Sequence, residues 1–221
     1  MPLLSRAWDI SPQDARKLQK KLAPLVIRKS ALTTIKTVAG IDVGLKGGVA
    51  CAAVVVLAFP ELEVVDQTTD RRQITFPYIP GLLTFREGPV ILDALDRLER
   101  KPDLLIFDGQ GIAHPYRFGI ASHIGLLADL PSIGCAKSRL CGRYLEPPVE
   151  RGSHTPLVDH GETIGAILRT RSGVKPVFVS IGHRMDLKTS INVVLACCKG
   201  YRLPETTRRA HLLAEECKKL T

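Results

Sequence analysis

No C-x-x-C pair occurs in this 221-residue chain, although it carries six cysteines. That absence argues against a zinc ribbon. Cys51 and Cys135 fall inside expected strands, where free thiols pack as small apolar groups. A disulfide framework is therefore not expected, and a reducing, cytoplasmic compartment is. Nor is there an apolar run long enough to cross a bilayer; the longest covers 49–59. Residues 1–9 lack a basic head followed by a long apolar stretch, so no secretory signal is expected. Internal repeats and low-complexity segments are missing too. Acidic residues are in deficit, 22 Asp and Glu against 31 Lys and Arg, which leaves a formal charge of +9. Such a surplus favours a polyanionic partner such as nucleic acid, and it also fits a merely soluble basic protein. The length suits one α/β domain with a sizeable core.

Ser11-Pro12-Gln13-Asp14 reads as a helix start, with Ser11 as N-cap and Pro12 in the first turn. A basic amphipathic helix should run to about residue 28, bent at Pro24. A first strand is expected over 38–43, a tight turn over 44–48 and a second strand over 49–58. The near-continuous small and branched apolar residues of that second strand imply burial on both faces. A third strand within 62–76 completes an antiparallel meander. Val90, Ile91, Leu95 and Leu98 stand at helical spacing, which predicts a helix over 87–100. A fourth strand (104–107), a helix (118–130) and a fifth strand (132–136) form a right-handed βαβ step. The interval 143–175 is interrupted by Pro and Gly and reads as strand pieces and loops. A strand over 177–181 and helices over 187–199 and 205–220 follow. The layout is α/β, a mixed five-stranded sheet flanked by helices. It is also that of ribonuclease H-like folds, in which the first and fourth strands lie side by side.

Three carboxylates then stand out. Asp42 closes the run Thr37-Val38-Ala39-Gly40-Ile41, and Asp108 closes Leu104-Leu105-Ile106-Phe107. Glu87 follows Phe76-Pro77-Tyr78-Ile79-Pro80-Gly81. A carboxylate at the mouth of a buried strand is poorly placed for stability, because burial penalises its charge. It makes sense if a divalent cation sits there, and Mg²⁺ commonly takes one or two carboxylates plus phosphate and water. Such an ion can polarise a phosphoryl oxygen or lower the pKa of an attacking water. Glu87 could add a ligand, and His211 faces a fourth position from the last helix. Lys137, past the fifth strand, could supply positive charge to a phosphate. Singly, each residue has a blander reading: a turn or N-cap aspartate, a surface histidine, a solvated lysine. The order and spacing of the whole set carries the argument.

That set resembles the endonuclease V family of deaminated-purine repair nucleases. The similar segments are Ala39-Gly40-Ile41-Asp42-Val43-Gly44, Phe76-Pro77-Tyr78-Ile79-Pro80-Gly81-Leu82-Leu83-Thr84-Phe85-Arg86-Glu87 and Phe107-Asp108-Gly109-Gln110-Gly111-Ile112-Ala113-His114-Pro115. Further on come Ile133-Gly134-Cys135-Ala136-Lys137-Ser138, Val179-Ser180-Ile181-Gly182-His183-Arg184 and Gly200-Tyr201-Arg202-Leu203-Pro204-Glu205-Thr206-Thr207-Arg208. The resemblance implies a ribonuclease H-like fold. It also implies Mg²⁺-dependent cleavage, with Mn²⁺ as substitute, of DNA at the second phosphodiester 3′ to inosine. Asp42, Glu87 and Asp108 are then the metal carboxylates, and Lys137 and His114 lie near the phosphate. His211 stands where many relatives carry Asp, which lowers the negative charge of the site by one. Tyr78-Ile79-Pro80 matches a strand-separating wedge, and an aromatic ring can fill the gap left by an extruded base. The loops carrying Gly81, Leu83, Gly109, Gly111, Gly119, Ile120 and Leu140 are implied to hold hypoxanthine, largely through backbone groups. DNA containing deaminated bases is the implied partner, with inosine-containing RNA as the alternative, and neither a membrane nor an obligate protein partner is indicated.

Two other functions fit parts of the chain. Ile41-Asp42-Val43-Gly44-Leu45-Lys46-Gly47-Gly48 looks like the phosphate turn of an actin-like ATPase, but the length is too small for two such lobes. A non-catalytic nucleic-acid binder would have no need of three carboxylates, which weaken phosphate binding.

Overall fold

The computed structural model describes residues 8–30 and 32–219. Most of the stretch 1–9 read for a targeting signal lies outside the described residues, as does Leu220, the expected end of the last helix. The first helix is α1 (Pro12–Leu22), followed by a 3₁₀ turn at Ala23–Leu25. Ser11 Oγ accepts the amide hydrogen of Asp14, the expected cap. Pro24 ends the helix rather than bending it.

The strands are β1 (Thr37–Lys46), β2 (Val49–Ala58), β3 (Val64–Gln73), β4 (Leu104–Phe107), β5 (Ser132–Ala136), β6 (His154–Asp159), β7 (Glu162–Leu168) and β8 (Val177–His183). The other helices are α2 (Leu83–Asp96), α3 (Ile120–Ala128), α4 (Leu187–Ala196) and α5 (Glu205–Lys219). All eight strands form one sheet in the order β3-β2-β1-β4-β5-β8-β7-β6. The expected five strands are its contiguous first five, in the ribonuclease H-like order. The count of five is corrected to eight, because β8 adds antiparallel to β5 and the interval 143–175 supplies the β6–β7 hairpin. Short strands broken by Pro156 and Gly165 hide that hairpin from a periodicity argument.

Both faces of the sheet are covered. Val38, Val55, Leu57, Leu104 and Ile106 pack with Leu22 of α1, Val193 and Val194 of α4 and Ala210 of α5. Ala39, Ile41, Val54, Val56, Leu105 and Phe107 pack on the other face with Val90 and Ile91 of α2 and Ile124 of α3. Neighbours along β1, β2 and β4 alternate between the two clusters, the period of two that a pleated strand imposes. The expectation that β2 is buried on both faces is met.

Helix α2 starts at Leu83, not near residue 87. Pro89 sits in the helix interior, and Thr84 and Phe85 are buried in the first turn. Glu87 therefore projects from within α2 rather than from its first residue.

α5 crosses β1 and β2 at close range. A Cβ on Gly40 would lie 2.0 Å from the carbonyl oxygen of Thr206. Only glycine lets the helix lie this near the strand that ends in Asp42. Gly40→Ala must push α5 outward, and overpacking of this kind costs at least about 2 kcal/mol. The thermal midpoint should fall by roughly 5 °C, read by calorimetry; an unchanged midpoint would show that the approach is not rigid.

Candidate active site

β1 and β4 pair in parallel, with Ile41 opposite Phe107. The residues after that pair are Asp42 and Asp108, and the Asp108 amide donates to the Ile41 carbonyl at 3.4 Å. The expected adjacency of the two aspartates follows from this register. Asp42 faces α5, where His211 Nδ1 lies 2.8 Å from its Oδ2. With a carboxylate as acceptor, Nδ1 carries the hydrogen. Asp108 is ion-paired with the ammonium of Lys137. Glu87 reaches the same cluster from α2: burial, then the charges of Asp42 and, more weakly, Asp108 push its carboxyl up to about 8, against the pull of Arg86. Burial also raises the Asp108 carboxyl, although hydrogen bonding and ion pairing with Lys137 oppose the rise.

The Lys137 segment is held from two sides. Arg202 Nη2 donates to the Lys137 carbonyl at 2.7 Å, and Gln110 Nε2 donates to the Ser138 carbonyl at 2.9 Å. The carboxylate end of the cleft thus has its one close ammonium on a fixed strap.

Beside this cluster opens a cavity of about 360 Å³. Its first wall is the wedge loop, with Tyr78, Ile79, Pro80 and Gly81 continuing into Leu83 and Thr84. Asp108, Gly109, Gln110 and His114 form the floor, and Gly119 and Ile120 at the start of α3 form a second wall. Lys137, Ser138, Arg139 and Leu140 close the remaining side. Tyr78 is 68% exposed at the rim. Sequence reasoning missed Thr84, Gln110, Ala136, Ser138 and Arg139; each neighbours a residue that it did find.

Of the expected substrate residues, Gly111 takes another place and His114 lines the cavity with its ring engaged. Gly111 is not among the lining residues: a Cβ there would lie 2.0 Å from the Ile181 carbonyl oxygen, and its amide donates to Ser180 Oγ at 2.9 Å. It is a close-packing residue beneath the floor. His114 lines the cavity, but both ring nitrogens are occupied. Nδ1 accepts from the Tyr116 amide at 3.1 Å, which leaves the hydrogen on Nε2 for the Gly81 carbonyl at 2.9 Å. Burial holds this imidazole down to about 4, so it is neutral near pH 7. An uncharged, doubly bonded ring braces the wedge loop and is not free to bond a phosphate.

Among the described residues, no three His, Cys, Asp or Glu side chains group closely enough to make a ready-formed metal cage. The donor set nevertheless suits Mg²⁺, which needs only one or two carboxylates and keeps water and phosphate oxygens for the rest. Asp42 and Asp108 could hold it, with Glu87 as the third oxygen donor. Burial first, and then repulsion from Asp42 and Asp108, raises Glu87, and the repulsive part is what a cation would relieve. No described helix is long and apolar enough to cross a membrane, and none of the six cysteines is in a disulfide.

The endonuclease V family model matches residues 18–212. Endonuclease V of Roseiflexus sp. is 59% identical over 207 residues, covering 94% of this chain and 93% of that protein. The crystal structure of endonuclease V from Streptomyces avermitilis superposes with a TM-score of 0.92 at 44% identity, covering 97% of this chain and 96% of the other. Endonuclease V of Ciona intestinalis was solved with a 24-mer DNA containing an inosine followed by a ribo-adenosine; its TM-score is 0.81 at 28% identity, over 95% and 98% of the chains.

The raised Glu87 carboxyl sets a pH dependence for the metal-free protein. The folded state keeps a proton that the unfolded chain, with an ordinary carboxyl near 4.5, releases. Its stabilising contribution is complete below about 4.5 and is lost as pH rises towards about 8. Glu87→Gln should flatten this part of the stability curve, measured by urea melts across the range. A variant curve parallel to that of the parent would contradict the assignment.

Proposed function

Because the chain belongs to the endonuclease V family, we propose that it is a repair endonuclease acting on DNA that carries a deaminated purine, inosine above all. The observation that carries this reading is the cavity that joins the exposed Tyr78 rim to Asp108 and Lys137. A base turned out of the duplex would enter a pocket that ends beside the carboxylate cluster. The complex of the Ciona relative with inosine-containing DNA supports the choice of substrate.

Tyr78 stands out where the base stack would be interrupted, on a loop stiffened by Pro77 and Pro80. Backbone groups of the wedge loop, of Gly109 and of Gly119–Ile120 would read the purine edge. Hypoxanthine differs from adenine at the six position, where a carbonyl replaces an amine, and a fixed amide donor facing that carbonyl rejects adenine by mismatch. The proposed cut is the second phosphodiester 3′ to the lesion, leaving 3′-hydroxyl and 5′-phosphate ends. Mg²⁺, or Mn²⁺ in its place, held by Asp42, Asp108 and Glu87, supplies Lewis acidity to the phosphodiester oxygens when bound. Lys137 balances Asp108 and offers positive charge to the phosphate. His211 fixes the orientation of Asp42 and adds no negative charge. Glu87, whose burial favours the protonated form, releases its proton as positive charge enters the site.

A second reading is cleavage of inosine in RNA. The ribo-adenosine that follows inosine in the Ciona complex favours it, and the 2′-hydroxyl decides such discrimination. Matched DNA and RNA oligonucleotides separate the two.

Asp108→Ala should lower cleavage of an inosine duplex by at least about a hundredfold. Binding without metal should be kept or improved, as measured by fluorescence anisotropy in EDTA; comparable loss of both would point to misfolding. Tyr78→Ala should impair duplex cleavage about tenfold more than single-strand cleavage, since stacking on a base contributes about 1–3 kcal/mol. Equal defects on the two substrates would remove the wedge role.

A further inference from the structure

Gln19 is fully buried on the inner face of α1, among Ala15 and Leu22. Its Nε2 donates to the Gly81 carbonyl at 2.8 Å and to the Phe118 carbonyl at 3.1 Å. Only the nitrogen of an amide can bond two carbonyl oxygens at once, so chemistry fixes the orientation of this side chain. Its Oε1 is buried and finds no partner. A polar group retained on an otherwise apolar face, with one half unsatisfied, is poorly explained by the stability of α1.

The two carbonyls belong to the two chain segments that Gln19 joins beside the base cavity. Gly81 lies in the wedge loop, and Phe118 directly precedes Gly119 and Ile120. The peptide planes that bear them are also held at their other ends. The Leu82 amide donates to the Ile79 carbonyl at 2.9 Å, and the Gly119 amide donates to the Gly111 carbonyl at 2.9 Å. The Gly81 carbonyl takes a further hydrogen bond from neutral His114, and its residue sits at φ +83°, a turn conformation that depends on such ties.

We propose that Gln19 is a positioning residue that clamps the two walls of the base cavity at a fixed separation and so sets its selectivity for the purine. Gln19 touches no substrate; it acts through Gly81 and through the Phe118–Gly119 peptide. The proposal rests on the reading of this cavity as the hypoxanthine pocket. Discrimination between purines depends on backbone groups held within a fraction of an ångström, and a clamp with two neutral hydrogen bonds provides that without adding charge beside the carboxylates.

The test is steady-state cleavage of single-stranded oligonucleotides carrying inosine or adenosine at one position, by the full chain and by Gln19→Met. Methionine keeps the volume and flexibility of the side chain and removes both donors. KM for the inosine substrate should rise about tenfold, with kcat at saturation within about twofold, because the chemistry at Asp108 is untouched. The preference for inosine over adenosine should fall about tenfold, the effect of losing one well-made hydrogen-bond anchor. A variant that only folds less well would lose kcat in proportion to its active fraction, with KM and preference as in the parent, and that result overturns the proposal. If Gln19→Met is not recovered folded, Gln19→Asn keeps an amide too short to span both carbonyls; it should show the same split in weaker form, and parental selectivity in it overturns the clamp. A parent enzyme that cleaves both substrates alike, or neither, overturns the reading of the cavity together with the clamp, whereas a selective parent with a selective variant overturns the clamp alone.

Discussion

The parallel pairing of β1 with β4 is the constraint on which the rest of the site depends. Placing Ile41 opposite Phe107 brings the next residue of each strand, Asp42 and Asp108, to one edge of the sheet. Two partly buried carboxylates at such an edge repel one another and lose hydration, so the fold must supply compensation. It does so from separate elements: Lys137 from beyond β5, His211 from α5 and a carboxyl on α2 that retains its proton. The closeness of α5 to β1, which Gly40 permits, belongs to the same arrangement, because it brings His211 within reach of Asp42.

The cleft divides into a charged end and a neutral end. Asp42, Asp108, Glu87 and Lys137 gather where phosphate chemistry would take place. Away from Asp108, Lys137 and Arg139, the base cavity is braced by uncharged groups: Gln19, the neutral imidazole of His114 and the backbone of the wedge and α3 loops. This division has a physical reason. Neutral, fixed donors and acceptors suit a readout that depends on their positions, whereas a phosphodiester needs strong local fields. The wedge loop spans both ends, since Gly81 is tied to the neutral framework while Tyr78 stands free at the rim.

Much of this was legible in the sequence because it depends on local pattern. Strands β2 and β4 follow from unbroken apolar runs, and the likeness of the strand layout to ribonuclease H-like folds placed Asp42 beside Asp108. The wedge was legible through the resemblance of residues 76–87 to the endonuclease V pattern, and Asp108 because it closes an apolar strand. What escaped was non-local. The start of α2 was misplaced because the apolar spacing begins only at Val90, while Thr84 and Phe85 are fixed by packing. Strands β6 and β7 are too short and interrupted to show a period. Gly111 looked like a ligand-binding glycine, but its reason is the Ile181 carbonyl some seventy residues away. His114 looked like a phosphate contact until both of its nitrogens were seen to be engaged, and Gln19 gave no signal, since one polar residue on a helix ordinarily faces solvent.

The most direct measurement is cleavage of an end-labelled duplex carrying one inosine, with Mg²⁺ and with EDTA, resolved to single nucleotides. The account predicts one nick at the second phosphodiester 3′ to the lesion, with a 3′-hydroxyl end, in Mg²⁺ and none in EDTA. A nick that persists in EDTA, or cleavage indifferent to the inosine, would contradict it.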